Sequence, residues 1–171
     1  MIGHHGTHRE FARSILASGF NRSHGEQWFG DGVYFFEDDP VEAKNWAIKI
    51  KGFGEAYTSV LRSTINSVNG NIIDLTKGKH WEAFLKIRKE IDENIDKSTF
   101  RNKIYGDGIA LNFMCRQFFK RVGEPIDLIK AGLKHPGYDW ADPITNIPRM
   151  QYQICVRNLT CIADIKVEEG F

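Results

Sequence analysis

His5, Gly6 and Thr7, in the run GHHGTHREF, form the first chemistry-bearing pattern of the chain. A neutral imidazole both donates and accepts hydrogen bonds. A glycine lets backbone approach a partner closely, and a threonine is a good helix cap. Downstream, GDGVYFFED sets Gly30 and Gly32 ahead of Tyr34, and Trp46 follows about a dozen residues later. Two glycines that admit a ligand to the backbone, a tyrosine at a strand start and an aromatic on the next helix could clasp a flat ligand. Taken alone, each has a plainer reading: Gly6 permits a turn, His5 is a satisfied polar residue, and Tyr34 belongs to the core. Together, in this order, they point to one cleft.

Such a cleft needs strands and helices to hold it. Thr7 and Glu10 stand in the capping-box relation, which predicts a strand over 2–6 and a helix from His8. Phe11, Ala12, Ile15 and Leu16 would be its apolar stripe and Gly19 its end. VYFF reads as a strand. Asp39 as cap, Pro40 and Glu42 restart a helix with Val41, Ala43, Trp46, Ala47 and Ile50 on its buried side. AYTSVLRSTI and NIIDLT read as two strands joined as a hairpin through Asn69-Gly70.

Helical spacing returns in Trp81, Phe84, Leu85, Arg88, Ile91 and Ile95. It returns again in Leu111, Met114, Phe118 and Val122, from a cap at Asp107. PIDLIKAGL is a strand, an irregular segment with Pro136, Pro143 and Pro148 follows, and strands near 149–157 and 161–168 close the chain. This order predicts an α+β fold in one domain, 1–171, with helices flanking and inserted among mainly antiparallel strands.

Bulk properties narrow the function classes. The chain has 171 residues, 42% of them hydrophobic, and a formal net charge of +1. That suits one well-cored domain and gives no strong pull toward nucleic acid or membrane. No run approaches the ~18 apolar residues of a membrane span, and no signal-peptide pattern follows Met1. Cys115, Cys155 and Cys161 lack CxxC spacing, which predicts buried thiols in a reducing cytoplasm and no metal site.

The stretches HHGTHREFARSILASGF, WFGDGVYFFEDDPVEAKNWA and QYQICVRN together resemble the PARP-like, diphtheria-toxin-type ADP-ribosyltransferases. Small bacterial single-domain members are the nearest in character. The resemblance is strong over the first fifty residues or so, moderate over the last twenty-five and thin between. It implies the ADP-ribosyltransferase fold, built on a split sheet, and NAD as co-substrate. His5 matches the triad histidine that bonds the adenosine ribose hydroxyl and helps hold NAD bent. Gly6 matches the glycine whose backbone grips the nicotinamide carboxamide, with Thr7 beside it. Tyr34 matches the tyrosine stacked on the nicotinamide ring. Trp46 stands about where the second aromatic wall belongs, one residue further along. A ring face attracts a cationic pyridinium.

The third member of the family triad is a glutamate opening a late strand. Here RMQYQICVRN has none. Gln153 fits that position best, and Gln151 is the alternative; strand alternation puts both on one face. Glutamine keeps a hydrogen bond but loses the charge that stabilises an oxocarbenium-like ribose, at a cost of ~2–4 kcal/mol. The resemblance then implies transfer of a single ADP-ribose, or a degenerate module that binds NAD or ADP-ribose without turnover. Glu26, Asp31, Glu37 and Asp38 are loop acids that could replace the carboxylate.

The implied acceptor is a macromolecule, protein or nucleic acid. Arg116, Lys120 and Arg121, with Lys130 and Lys134 downstream, could face a nucleic-acid backbone or simply be solvated. Arg157 could contact NAD phosphate or acceptor, as could Tyr138 and Trp140 in the Pro-rich stretch. By family analogy the protein is a toxin-antitoxin or phage-defence effector, with an antitoxin protein as candidate partner. A related RNA 2′-phosphotransferase is a third reading, for which Arg22-Ser23-His24 gives no convincing match.

Overall fold

The computed structural model describes residues 1–24, 27–94, 103–133 and 150–170. Along them run β1 (Ile2–His8), α1 (Arg9–Ser18), β2 (Val33–Glu37), α2 (Pro40–Asn45), β3 (Thr58–Ile65) and β4 (Ile72–Asp74). Then come α3 (Gly78–Asn94), α4 (Lys103–Val122), β5 (Leu128–Leu133), β6 (Gln151–Val156) and β7 (Ile162–Val167). The fold class is α+β. The strands form a mixed sheet in the order β4-β5-β6-β2-β1-β3-β7, antiparallel at every pairing except β4 with β5.

One pairing in the middle is short. β1 and β2 register only at Gly3 with Glu37 and His4 with Phe36. Beyond His4, β1 continues on β3 as far as His8 opposite Thr58. β2 continues on β6 back to Val33 opposite Val156. From His5 onward the sheet therefore parts into two lobes.

Side chains alternate across the sheet and meet different helices. Phe35, Leu61, Leu128, Ile154 and Val156 are buried against Ala12 of α1 and Phe20. On the other face Phe36, Val60 and Ala43 form a cluster under α2, with Trp46 packed on it. Phe29, Phe84, Leu111, Ile129 and Cys155 form a third, under α3 and α4. Each fully buried Phe or Leu contributes about 1.5–3 kcal/mol, so both faces hold the sheet in place.

Several expected details differ. β1 keeps its ladder through His8, so α1 starts at Arg9 and the cap is His8, whose Nδ1 accepts from Glu10 N at 3.3 Å. Thr7 stays in the strand and is buried. Phe11 and Leu16 are exposed. Asp39 does cap α2, its Oδ1 accepting from Glu42 N at 3.0 Å. That helix continues as a π-helical turn over Trp46–Ile50. Its buried face carries Glu42, Ala43 and Ala47, while Val41 and Ile50 are exposed.

The expected hairpin is absent, because β1 and β7 occupy the two edges of β3. β4 lies at the far edge, parallel to β5. Asn69 instead gives its backbone and side-chain N–H groups to Asp127, at 2.7 and 3.0 Å. Asp107 lies inside α4 and bonds Arg88 of α3 at 2.9 Å. The three cysteines are free and buried. Glu26, Ile95, Lys134 and the Pro-rich stretch with Tyr138 and Trp140 lie outside the described residues.

Candidate functional site

The site follows from the split. Where β1 leaves β2, the ladder between them stops and its backbone groups need other partners. His5 supplies one: its Nδ1 lies 2.8 Å from the Tyr34 carbonyl oxygen. A carbonyl only accepts, so Nδ1 carries the proton and the neutral ring keeps its lone pair on Nε2. Phe20 and Phe35 press edge-on against the imidazole, at centroid distances of 5.2 and 5.8 Å. Loss of water lowers the His5 pKa below 6.5, the bond to Tyr34 pulls it back up in part, and Lys51 lowers it further. The ring is neutral at pH 7.

Gly6 is the next feature. Asp38 N donates to Ile2 O on the β2 side, whereas Ile65 N donates to Met1 O on the β3 side. Strand alternation carries this pattern to Gly6, which registers with Val60 of β3. Val60 directs its carbonyl to Glu168 N, away from β1. The N–H and C=O of Gly6 accordingly point into the split. A Cβ on Gly6 would stand 1.8 Å from Ala43 O. The missing side chain is needed for α2 to lie on the strand, so the residue combines close packing on one side with an open backbone edge on the other.

Tyr34 is held by its own loop. Its hydroxyl donates to Gly30 O at 2.6 Å and accepts from Phe29 N at 3.0 Å. Burial pushes the phenol pKa well up, so it stays protonated. Phe29 stacks on the ring at 5.9 Å and 11°, which covers one face. The glycines before it serve packing: a Cβ on Gly30 would stand 2.3 Å from Asn112 Oδ1, and one on Gly32 2.4 Å from Cys155 Sγ. They bring the loop onto α4 and β6 instead of opening it to a ligand.

Trp46 is half-buried, tilted against Phe36 at 6.2 Å and edge-on to Trp28 at 6.1 Å. Trp28 also lines a cavity of about 310 Å³ with Phe29, Trp81, Phe84, Leu111 and Leu133. Tyr34 and Trp46 thus lie on the same side of the sheet, linked through Phe29 and Trp28 to one apolar cavity.

Both glutamines are buried on that side, and Tyr152 between them is exposed. Gln153 registers between Phe36 of β2 and Ala131 of β5. Gln151 gives its side-chain nitrogen to the carboxylate of Glu42 on α2. Glu42 is 5% exposed and also lies 3.4 Å from the Asn45 amide nitrogen. The Oε1 of Gln151 is buried with no hydrogen-bond partner among the described residues.

Of the acids expected to substitute for the triad glutamate, Asp31, Glu37 and Asp38 lie among the described residues. Glu37 pairs with Lys130 at 2.7 Å. Asp31 lies 3.4 Å from the Asn112 amide and 3.7 Å from His24. Asp38 is exposed, in a left-handed turn. Glu42 is a buried acid on this side of the sheet, and sequence reasoning took it only as a helix-start residue. A glutamate three places after an Asp cap gives no sign that it will be buried.

Arg157 donates to Asp31 O at 2.9 Å and to Asn112 Oδ1 at 2.8 Å, so it fastens the glycine loop to α4. Arg116, Lys120 and Arg121 are exposed on α4. Among the described residues no group of three or more His, Cys, Asp or Glu could hold a metal ion. No helix there is long and apolar enough to cross a membrane.

Comparison with known proteins adds one relative. An uncharacterized protein of Methanocaldococcus jannaschii is 25% identical over 179 aligned residues, spanning 98% of this chain and 80% of the relative. No protein-family model and no solved structure matches.

Proposed function

We propose that this chain is an NAD-dependent mono-ADP-ribosyltransferase of the PARP-like type. In that reaction the bond from the ribose C1′ to the nicotinamide nitrogen breaks and its electron pair leaves with nicotinamide. A new bond forms from C1′ to an acceptor nucleophile, whose proton passes to solvent. The ADP-ribosyltransferase fold is part of the same reading, and the parting of β1 from β2 at His5 supports it.

The observation that carries the reading is the backbone of Gly6. Its N–H and C=O point into the split with no strand partner on that side among the described residues, and a carboxamide is a group that uses one donor and one acceptor together. The residues around it suit the rest of the substrate. Neutral His5 keeps a free acceptor nitrogen for a ribose hydroxyl. Tyr34 and Trp46 offer aromatic surface to a cationic ring. Thr7 is buried within β1, and on this reading it holds the strand on which His5 and Gly6 are presented. NAD is the co-substrate, and no metal takes part. A macromolecular acceptor, protein or nucleic acid, a restraining antitoxin and action in the cytoplasm belong to this reading by family analogy.

A second reading is a binding module that holds NAD or ADP-ribose without turnover. The observation favouring it is that β6 carries amides at both 151 and 153. Purified protein incubated with NAD separates the two. The transferase releases nicotinamide and His5→Ala does not, whereas the binding module binds NAD and releases none.

A further inference from the structure

The family pattern places a carboxylate on the strand that here carries Gln151 and Gln153. The structure shows a carboxylate on the same side of the sheet, but on a helix. Glu42 rises from α2 and accepts from the Gln151 side-chain nitrogen. Both residues are 5% exposed. This bond fixes which end of the Gln151 amide is which, since a carboxylate accepts only and nitrogen must face it. The other end, Oε1, is therefore an acceptor, and it is buried without a partner among the described residues.

A buried acceptor with nothing to accept from costs on the order of 1–3 kcal/mol. A protein that bonds one end of an amide and leaves the other empty has built a socket for a donor. The neighbouring carboxylate makes the socket stronger. A negative charge bonded to the amide nitrogen polarises the amide toward its oxygen, and burial of both residues weakens the screening of that effect.

We propose that Glu42 and Gln151 together do the work of the missing triad glutamate: Gln151 Oε1 accepts a ribose hydroxyl of NAD, and Glu42 holds the amide and supplies the negative charge. This rests on the transferase reading above. In it Gln151 is the catalytic residue, because it touches the sugar, and Glu42 is a positioning residue that acts through it. As the nicotinamide bond breaks, positive charge grows on the ribose, and an acceptor backed by a carboxylate is worth more then than in the ground state.

The test uses the full chain and measures two quantities, NAD binding by calorimetry and nicotinamide release. Glu42→Gln is close to isosteric and keeps the hydrogen-bonding reach while removing the charge. It is expected to bind NAD within about threefold of the wild type and to release nicotinamide about 100-fold more slowly. The exchange variant Glu42→Gln/Gln151→Glu moves the charge onto β6 and is expected to regain at least about tenfold of that loss. A residue that merely supported the fold would not be rescued this way. Thermal melts of each variant establish that it is folded.

If the wild type turns over and Glu42→Gln turns over equally fast, the inference is wrong and the transferase reading stands. If Glu42→Gln is slow but folded, and the exchange variant regains nothing, Glu42 has only a structural part and the inference is again overturned. If the wild type neither binds NAD nor releases nicotinamide, the transferase reading falls and takes this inference with it.

Discussion

The His5 imidazole donates to the carbonyl of Tyr34 across the gap where β1 and β2 part, with 2.8 Å between Nδ1 and oxygen. One side chain thereby replaces a rung of the ladder the strands no longer share, and it fixes the tautomer of the ring. Two residues from separate motifs are tied at the point where the sheet opens.

Burial of that ring predicts a pH dependence. The folded-state pKa of His5 lies below its ordinary 6.5, mainly through burial. Below pH 6.5 the unfolded chain takes up a proton that the folded chain resists, so stability falls as the solution is acidified. Thermal melts from about pH 7.5 to about pH 5.5 should show a downward slope that is shallower in His5→Gln. Equal slopes would contradict the neutral, desolvated imidazole.

Gly6→Ala should cost more than about 3 kcal/mol in urea unfolding, because its methyl would overlap the Ala43 carbonyl oxygen at 1.8 Å. A loss below about 1 kcal/mol would mean that α2 shifts freely on β1.

Tyr34→Phe removes the hydroxyl that joins Phe29 N to Gly30 O. It should destabilise by about 1–3 kcal/mol while keeping the ring that stacks on Phe29. Tyr34→Ala should abolish nicotinamide release in a chain that still melts cooperatively. Turnover unchanged in Tyr34→Ala would remove the tyrosine from the site.

Asp127 organises the far end of β6. Its carboxylate accepts from Ser67 Oγ at 2.6 Å, Asn69 N at 2.7 Å and Asn158 Nδ2 at 2.9 Å, while its carbonyl receives Arg157 N at 2.8 Å. Although burial alone would raise it, these donors bring the Asp127 pKa below its ordinary 3.8. Its contribution is present above pH 3.8 and is lost as pH falls through the lower folded value. Asp127→Ala should cost about 3 kcal/mol or more at neutral pH, since it strands several donors. The check is urea unfolding at neutral pH, where a loss under about 1 kcal/mol would contradict the network.

The two glutamines should differ in kinetics. Gln151→Ala removes the acceptor backed by Glu42 and should slow nicotinamide release more than Gln153→Ala does. Single-turnover assays of both variants decide this, and the reverse order would return the role to Gln153.

Much of the frame was legible because local signals dominate there. Asp39 and Pro40 mark the start of α2 by capping chemistry, and β2 and β6 read from their apolar runs. What failed depended on distant partners. Asn69-Gly70 has turn chemistry, yet the strands beside it do not pair, because β1 and β7 already flank β3. Thr7 looks like a cap, but the ladder with β3 runs on through Thr7 to His8, which takes the role. Gly30 and Gly32 looked like ligand glycines, and only the fold reveals Asn112 and Cys155 filling their space. Glu42 was illegible for the same reason, since nothing local says that residue 42 will meet residue 151.

The most direct test is the release of nicotinamide from NAD labelled on the adenylate phosphate, with purified protein and a bacterial lysate, beside His5→Ala. The expected result is nicotinamide release together with label that becomes acid-precipitable, both lost in the variant. Sensitivity of the precipitated label to protease, RNase or DNase then gives the acceptor class. Wild-type protein that binds NAD yet releases no nicotinamide and labels nothing would contradict the transferase and leave the binding module in its place.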